Sequence, residues 1–379
     1  MFKIIAGVFL GLSVCATAAS AQELVQDQVH TYKAKVVEIT KTFERPIYEG
    51  RTMQGQTVRV EILDGDRKGE TVMFDNDYII LKEGQRFYLN HFIDMNEVET
   101  YMVFDVERKP QLLFLFLFFA ICVVALGGLE GARSLVALGI SIAVIVTILI
   151  PALVAGYNPL IVSSLVGSLI LAVAIYSTHG LNMHSTIALA GTVGAVIVTS
   201  ILAFLASSGT SLTGKADEVA AYLDLNAVQG QFNFFNLLIA SMIIGALGVL
   251  DDIAITQVAV VSELHTTDRK LSRFELYRRA LRVGRAHVGA LVNTLVLAYV
   301  GVALPSVMLM FQNKTPLLSI INIEYFATEI VRALVGSIGL IFAVPLTTAL
   351  AVYVLYGRKN IPQFEAHDHP HGHAHHHHA

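Results

Sequence analysis

The chain is poor in charged residues and almost free of cysteine. Aspartate, glutamate, lysine and arginine make up 15% of the 379 residues, whereas a soluble domain contains about 25%. The deficit lies in residues 110–356, which are mostly apolar, while residues 23–109 have an ordinary soluble composition. Neither Cys15 nor Cys122 suggests a disulfide, so the N-terminal domain must fold without one. The net charge of −4 is too small to indicate nucleic acid as a partner.

The first residues have the pattern of a secretory signal peptide. Lys3 provides a positive start, Ile4–Val14 an apolar run, and the Ala-Ser-Ala sequence at 19–21 a small-residue cleavage site. The apolar run is short compared with the roughly 20 residues of a membrane span. We therefore predict a cleaved signal over residues 1–21, with an uncleaved anchor helix as the alternative.

Residues 22–109 show the alternation of apolar and polar residues that is typical of β-strands. Turn residues separate five such runs. This pattern predicts a small all-β extracytoplasmic domain, with an OB-like barrel as one option. OB folds often bind nucleic acid, but this domain lacks a stripe of basic and aromatic residues, so we expect a structural or recognition role. The predicted strands are His30–Ile39, Gln56–Leu63, Glu70–Phe74, Arg86–Phe92 and Thr100–Val106.

Residues 110–356 predict an α-helical polytopic membrane bundle. Each apolar run is long enough to cross a hydrocarbon core of about 30 Å. Glycine, alanine, serine and threonine recur in the runs, as close helix packing in lipid requires. The seven predicted spans lie near 111–129, 134–155, 160–178, 187–206, 232–262, 286–311 and 324–356.

The distribution of basic residues predicts the orientation of the chain. If the signal exports the β domain, the short loops on the inner side carry Arg133, the basic segment 269–285 and Arg358. The short outer loops carry only Lys215 and Lys314. This asymmetry follows the positive-inside rule. We therefore predict a bacterial inner-membrane protein whose β domain is extracytoplasmic and whose C-terminus is cytoplasmic.

The basic segment 269–285 has two interpretations. Leu271, Phe274, Tyr277 and Leu281 follow helical spacing and alternate with arginines. The segment is then an amphipathic helix on the inner leaflet. The alternative is an ordinary positive loop that only sets the orientation.

Span five contains two adjacent carboxylates, Asp251 and Asp252. A carboxylate in lipid is costly and marks a functional site by default. Helical spacing puts Thr256 and Glu263 on the face of Asp252, whereas Asp251 and Gln257 point in other directions. We predict that Asp251, Asp252, Thr256 and Gln257 contribute to an ion-binding or transport site.

Spans six and seven carry further polar residues that can join this site. His287 and Thr294 share one face of span six, and Asn293 precedes Thr294. Glu329 and Arg332 are three residues apart in span seven and can pair. The oxygen ligands suit hard cations or protons, and this membrane site lacks an HxxxH pair or a thiolate set. The alternative is structural: Glu329 pairs with Arg332, and the aspartates bridge helices.

The sequence carries no signature of an enzyme. Walker, hydrolase-elbow and metalloprotease motifs are absent. We expect a transporter or permease for a small cation, either coupled to protons or moving a divalent metal. The alternative is a non-transporting envelope scaffold or sensor whose β domain recognises a partner. The expected partners are membrane lipid, the cation, and a second copy of the chain or an envelope protein.

The predicted cytoplasmic tail, residues 357–379, is rich in histidine. Neutral imidazoles at such density bind zinc, nickel or copper, so a divalent metal is the only cofactor expected. Aspartate, proline, glycine and alanine interrupt the run, which favours a native tail over a purification tag. The predicted metal ligands are His367, His369, His371, His373, His375, His376, His377 and His378.

From residue 56 onward the chain resembles the YibE/F-like family of bacterial multi-pass membrane proteins. The resemblance lies in Gly245–Leu264 (GALGVLDDIAITQVAVVSEL), Val283–Pro305 (VGRAHVGALVNTLVLAYVGVALP) and Glu329–Thr348 (EIVRALVGSIGLIFAVPLTT). It implies an extracytoplasmic β domain followed by a helical bundle. It implies no particular activity.

The resemblance extends to several of the candidate site residues. Asp252 matches the usual aspartate of the family in span five, and Asp251 matches a second aspartate found in a subgroup. Asn293 and Thr294 match an Asn-Thr pair. The family usually reads Gly-Arg-Asp after the basic segment, but Ala286 stands here in place of that aspartate. A mechanism that needs a carboxylate at that position is therefore in doubt.

Overall fold

The computed structural model divides the chain into two compact units, residues 1–118 and residues 119–379. The signal peptide and the histidine tail predicted above lie outside the residues that the structure describes. The structure describes residues 28–46, 52–93, 98–216, 219–220, 222–223 and 233–358.

The first unit contains five strands in one antiparallel sheet. The order in the sheet is β3-β2-β1-β4-β5. The sheet curves into a half-barrel in which Phe74 of β3 and Tyr101 of β5 approach to 6.4 Å between ring centroids. The predicted small all-β domain is therefore confirmed. The strands are β1 Gln28–Pro46, β2 Thr52–Ile62, β3 Thr71–Asn76, β4 Arg86–Ile93 and β5 Glu99–Val106.

Strand β1 is longer than predicted, with 19 residues. Its last residues pair only with the start of β2, as in the pair Phe43 and Gly55. A Cβ atom at Gly55 would overlap the Phe43 ring, so only glycine leaves room for the ring. The inner face is lined by fully buried residues such as Val58, Val60 and Ile62. Their spacing of two residues is that of a strand with one buried face.

The second part of the chain is helical. Six helical stretches are long and apolar enough to cross a membrane, and the chain is a multi-pass membrane protein. A π-helical turn, Ile145–Leu149, joins the first two helices. The helices are α1 Lys109–Val144, α2 Ile150–Val154, α3 Pro159–His179, α4 Met183–Gly209, α5 Phe234–Thr267, α6 Arg273–Gln312, α7 Leu317–Ile320 and α8 Glu324–Leu355.

The first helical stretch, Lys109–Val154, contains two of the predicted spans. Its 46 residues exceed the roughly 20 that a single crossing requires. The helix breaks at Gly128, whose φ of 54° and ψ of −136° are not helical. A Cβ atom at Gly131 would meet the carbonyl oxygen of Val123, so the chain folds back at this point. The break divides this stretch into two spans, so the six continuous stretches correspond to about seven spans.

Helices α4 and α8 cross at unusually short distance. A Cβ atom at Gly191 of α4 would lie 2.9 Å from Cβ of Thr347 in α8, and one at Gly339 of α8 would lie 3.2 Å from Cβ of Thr199 in α4. Each threonine therefore fits against a glycine of the opposite helix. Small residues that admit close backbone approach are typical of helix interfaces in lipid.

The basic segment is neither a separate surface helix nor a loop. Ser272 caps a helix that begins at Arg273 and continues into span six as α6. Leu276 and Ala280 are fully buried in a cluster with Val258 of α5 and Leu355 of α8. The apolar face of the segment thus packs on protein, because α5 and α8 extend far enough to cover it.

Candidate functional site

A cleft of about 340 Å³ opens between α5 and α6. It brings together three of the residues predicted from the sequence: Thr256, Gln257 and His287. Its wall is otherwise formed by small or apolar residues, so these three side chains supply its polar groups. The cleft is lined by Thr256, Gln257, Val260, Gly284, His287 and Ala290, among others.

Gln257 joins the two helices at the base of this cleft. Its side chain is 1% exposed, and Nε2 donates a hydrogen bond of 2.9 Å to the carbonyl oxygen of Ala280. A Cβ atom at Gly284 would come 2.6 Å from Oε1 of Gln257, so α6 has a glycine where the amide lies. Gln257 therefore holds α5 against α6, and its amide nitrogen is already engaged in a hydrogen bond with Ala280.

Further polar side chains follow the lining of the cleft along the faces of both helices. Asp252 is exposed and lies one helical turn before Thr256 on the same face of α5. Thr294 is exposed one turn beyond Ala290 on α6, and its Oγ1 donates to the Ala290 carbonyl at 3.0 Å. The hydrogen bond from Gln257 to Ala280 and the contact of Gln257 with Gly284 place Asp252 nearer in depth to Ala290 than to Thr294. We call the surface formed by Asp252, Thr256, His287 and Thr294 the α5–α6 groove.

Two predicted residues lie outside the groove. Asp251 is half-buried, and its Oδ1 accepts a hydrogen bond of 3.0 Å from the amide of Asp252. It points about 100° away from Asp252 around α5. Asn293 is exposed on the outer surface of α6, about 100° from Thr294. The adjacent carboxylates therefore do not share one site.

Glu329 and Arg332 form a separate polar cluster. Arg332 Nη1 lies 3.1 Å from Glu329 Oε1 within α8. The Arg332 guanidinium lies 5.9 Å from the ring centroid of Tyr299 in α6. Among the described residues, Glu329 Oε2 and Arg332 Nε are buried without a hydrogen-bond partner. The pair predicted from the sequence is present, and Arg332 packs against Tyr299 of α6.

Two buried histidines were not selected from the sequence. His184 Nε2 lies 3.1 Å from Ser262 Oγ. His265 stacks on Tyr356 at 5.4 Å between ring centroids, and its Nε2 accepts from the amide of Gly357 at 3.3 Å. Both histidines lie within apolar helices, and this position could have identified them from the sequence. Their contacts hold α4, α5 and the end of α8 together.

The β unit contains a polar network that the strand pattern did not indicate. Arg67 Nη1 contacts Glu99 Oε2 at 2.9 Å and Tyr101 OH at 2.8 Å. Tyr101 donates to Glu99 at 2.7 Å and stacks on buried His91. Burial and the hydrogen bond to Glu99 raise the pKa of Tyr101 to about 12. The hydrogen bond from Tyr101, together with Arg67, lowers the pKa of Glu99.

The described part of the chain contains no cluster of three or more histidine, cysteine, aspartate or glutamate side chains that could hold a metal ion. The predicted metal ligands, His367 to His378, lie outside it. The groove therefore offers one carboxylate, two hydroxyl groups and one imidazole.

Comparison with known proteins bears on the family of this chain. No curated protein and no solved structure matches it. The model of the YibE/F-like protein family matches residues 115–357, more than half of the chain and nearly all of its helical part. The match includes both walls of the groove and the Glu329–Arg332 cluster. The chain therefore belongs to the YibE/F-like family.

Proposed function

We propose that the chain is an inner-membrane permease for a small cation or proton, and that the α5–α6 groove is its path. The exposed carboxylate of Asp252 on a membrane helix carries the proposal. An ionisable group at that depth is expensive, so it is expected to meet water, an ion or a partner. Thr256 and His287 line a cleft that begins one turn away.

The groups of the groove suit a proton better than a divalent metal. Ca²⁺ takes about six to eight oxygen ligands, and the groove offers far fewer. A proton needs one acceptor at a time, and both Asp252 and His287 carry one. A monovalent cation, moved alone or with a proton, fits the same groups.

Proton flux in proteoliposomes tests the path. Asp252→Asn keeps the size of the side chain but cannot carry a proton, so we expect flux to fall by about tenfold or more. Asp251→Asn is the matched control, because the Asp251 carboxylate points away from the groove, and this variant should retain flux. Both variants must elute as the wild type does in size-exclusion chromatography. Flux in Asp252→Asn equal to that of the wild type would overturn the path.

A non-transporting scaffold or sensor is the second candidate function. It is favoured by Met102 and Phe104, whose side chains are 55% and 59% exposed on the outer face of β5. β5 is an edge strand of the sheet, and an exposed apolar edge invites pairing. A photo-crosslinking residue at Met102 should then capture an envelope protein, with Thr57 in β2 as the control position. Absence of any adduct at Met102 counts against this role.

The histidine tail is proposed as a separate metal-binding segment. Its support is the density of imidazoles in the sequence alone. Calorimetric titration of zinc or nickel should show binding to the full chain and a loss of it after truncation beyond Phe364. Unchanged binding after truncation contradicts the proposal.

A further inference from the structure

The exposed face of α5 is unlike a surface that faces lipid. Between Leu238 and Thr267, all of which the structure describes, no large apolar side chain of α5 is exposed. Leu237, near the start of α5, is 42% exposed, and the exposed positions that follow it through the membrane part are Ser241, Gly245, Gly248 and Asp252. They follow helical spacing along one face. The other spans expose large apolar residues instead, as α4 does with Ile197.

The neighbouring surface of α6 is also incompletely covered. Within its membrane part, beyond the basic segment, α6 buries few residues, among them Leu295 and Ala303. Asn293 and Thr294 are exposed there. The carboxylate of Asp252 and the amide of Asn293 are therefore both exposed on membrane helices. Hydrocarbon offers them no hydrogen-bond partner.

We propose that a second copy of the chain covers this face, so that two α5–α6 grooves close on each other. Two copies inserted in one orientation are related by a two-fold axis along the membrane normal, and residues of equal depth then meet. Asp252 is an acceptor, and the exposed amide of Asn293 on α6 is a donor, whereas the Thr294 hydroxyl already donates to the Ala290 carbonyl. The face is therefore complementary to itself, with each contact made twice.

Other features of the chain agree with a second copy as the occupant. The first span of the same chain, Leu112–Gly127, carries no amide or hydroxyl side chain and cannot satisfy Asp252. A Cβ atom at Gly248 would meet nothing within 4 Å, so a facing helix can approach the α5 backbone. Small residues on such a face are the usual means of close approach in lipid.

This inference deepens the proposed function, because the second copy would complete the wall of the path. The role of the closed groove as a path rests on the proposed function, but the dimer itself does not. Its test requires no flux. If copies cross-link through this face and no flux is found, the dimer stands and the permease fails. If flux is found in a monomer, the permease stands and the dimer fails.

The experiment is disulfide cross-linking in native membranes. Cys15 and Cys122 are first replaced by serine, and Gly248→Cys is introduced on the proposed face. We expect an oxidised dimer of twice the chain mass that dithiothreitol reverses. Ile197→Cys is the matched control, because it is exposed near the middle of α4 on a surface that should face lipid, and it should stay monomeric.

A second measurement protects the test against local effects of the cysteine. Single-molecule photobleaching in lipid should show two steps for the wild type and one step for Gly248→Trp, which fills the space that a facing helix needs. A Gly248→Cys adduct with a different protein would overturn the second copy as occupant. Monomers in both measurements would overturn the closed groove altogether.

Discussion

Tyr101 lies between a carboxylate and a guanidinium in the β unit, and its ionisation should report this network. Its pKa is raised from 10.0 to about 12, because burial and the hydrogen bond to Glu99 favour the neutral phenol. Because the pKa of Tyr101 is higher in the folded state than in the unfolded state, its contribution to stability is fully present below the unfolded pKa. The contribution is lost as the pH rises from 10 through 12.

The residue-scale prediction follows directly. Tyr101→Phe should lower the melting temperature of the β unit below pH 10, and the difference from wild type should vanish towards pH 12. Thermal unfolding followed by circular dichroism across this pH range measures it. Tyr78→Phe is the control, because Tyr78 is 68% exposed. A difference that stays constant to pH 12 would contradict the role of the phenol.

At the scale of the element, the crossing of α4 and α8 depends on two glycines. Gly191→Val should overlap Thr347, and Gly339→Val should overlap Thr199. Overpacking of this kind costs about 1–3 kcal/mol of unfolding free energy. Gly194→Val on the same helix is the control, because its Cβ atom would have only an ordinary contact at 4.0 Å with Leu346. Denaturant unfolding in detergent compares the three variants, and equal stability for all of them would contradict the close crossing.

The turn at Gly128 is a second prediction at this scale. A non-glycine residue at its positive φ costs about 1–3 kcal/mol. Gly128→Ala should therefore destabilise the first two spans, whereas Gly127→Ala has free space and no positive φ and should be tolerated. Thermal unfolding in detergent measures both variants. If Gly128→Ala is as stable as Gly127→Ala, the stretch Lys109–Val154 does not turn there.

At the scale of the whole molecule, we expect an odd number of crossings between the described β strands and Arg358. The break at Gly128 converts six continuous stretches into seven crossings. In a chain whose cysteines are replaced by serine, Thr57→Cys should react with a membrane-impermeant maleimide in spheroplasts. Arg358→Cys should react only after the membrane is opened. Labelling of both positions from the same side would require an even number of crossings.

The strands and spans followed from local sequence because each is a periodic response to its surroundings. Alternation with a period of two needs only one buried face, and a run of about 20 apolar residues needs only a membrane. Even the pair of Glu329 and Arg332 follows from spacing on one helix. The basic segment was harder, because the same arginines and leucines suit a lipid surface or a protein surface equally.

The sequence by itself determined the five-stranded domain, the membrane spans and the presence of carboxylates among them. Only the tertiary structure decided which polar groups meet. It joined Gln257 to Ala280 across two helices and left Asp252 on an exposed face. Helical periodicity gives the direction of a side chain around its own axis, but the neighbour it meets depends on the packing of distant segments.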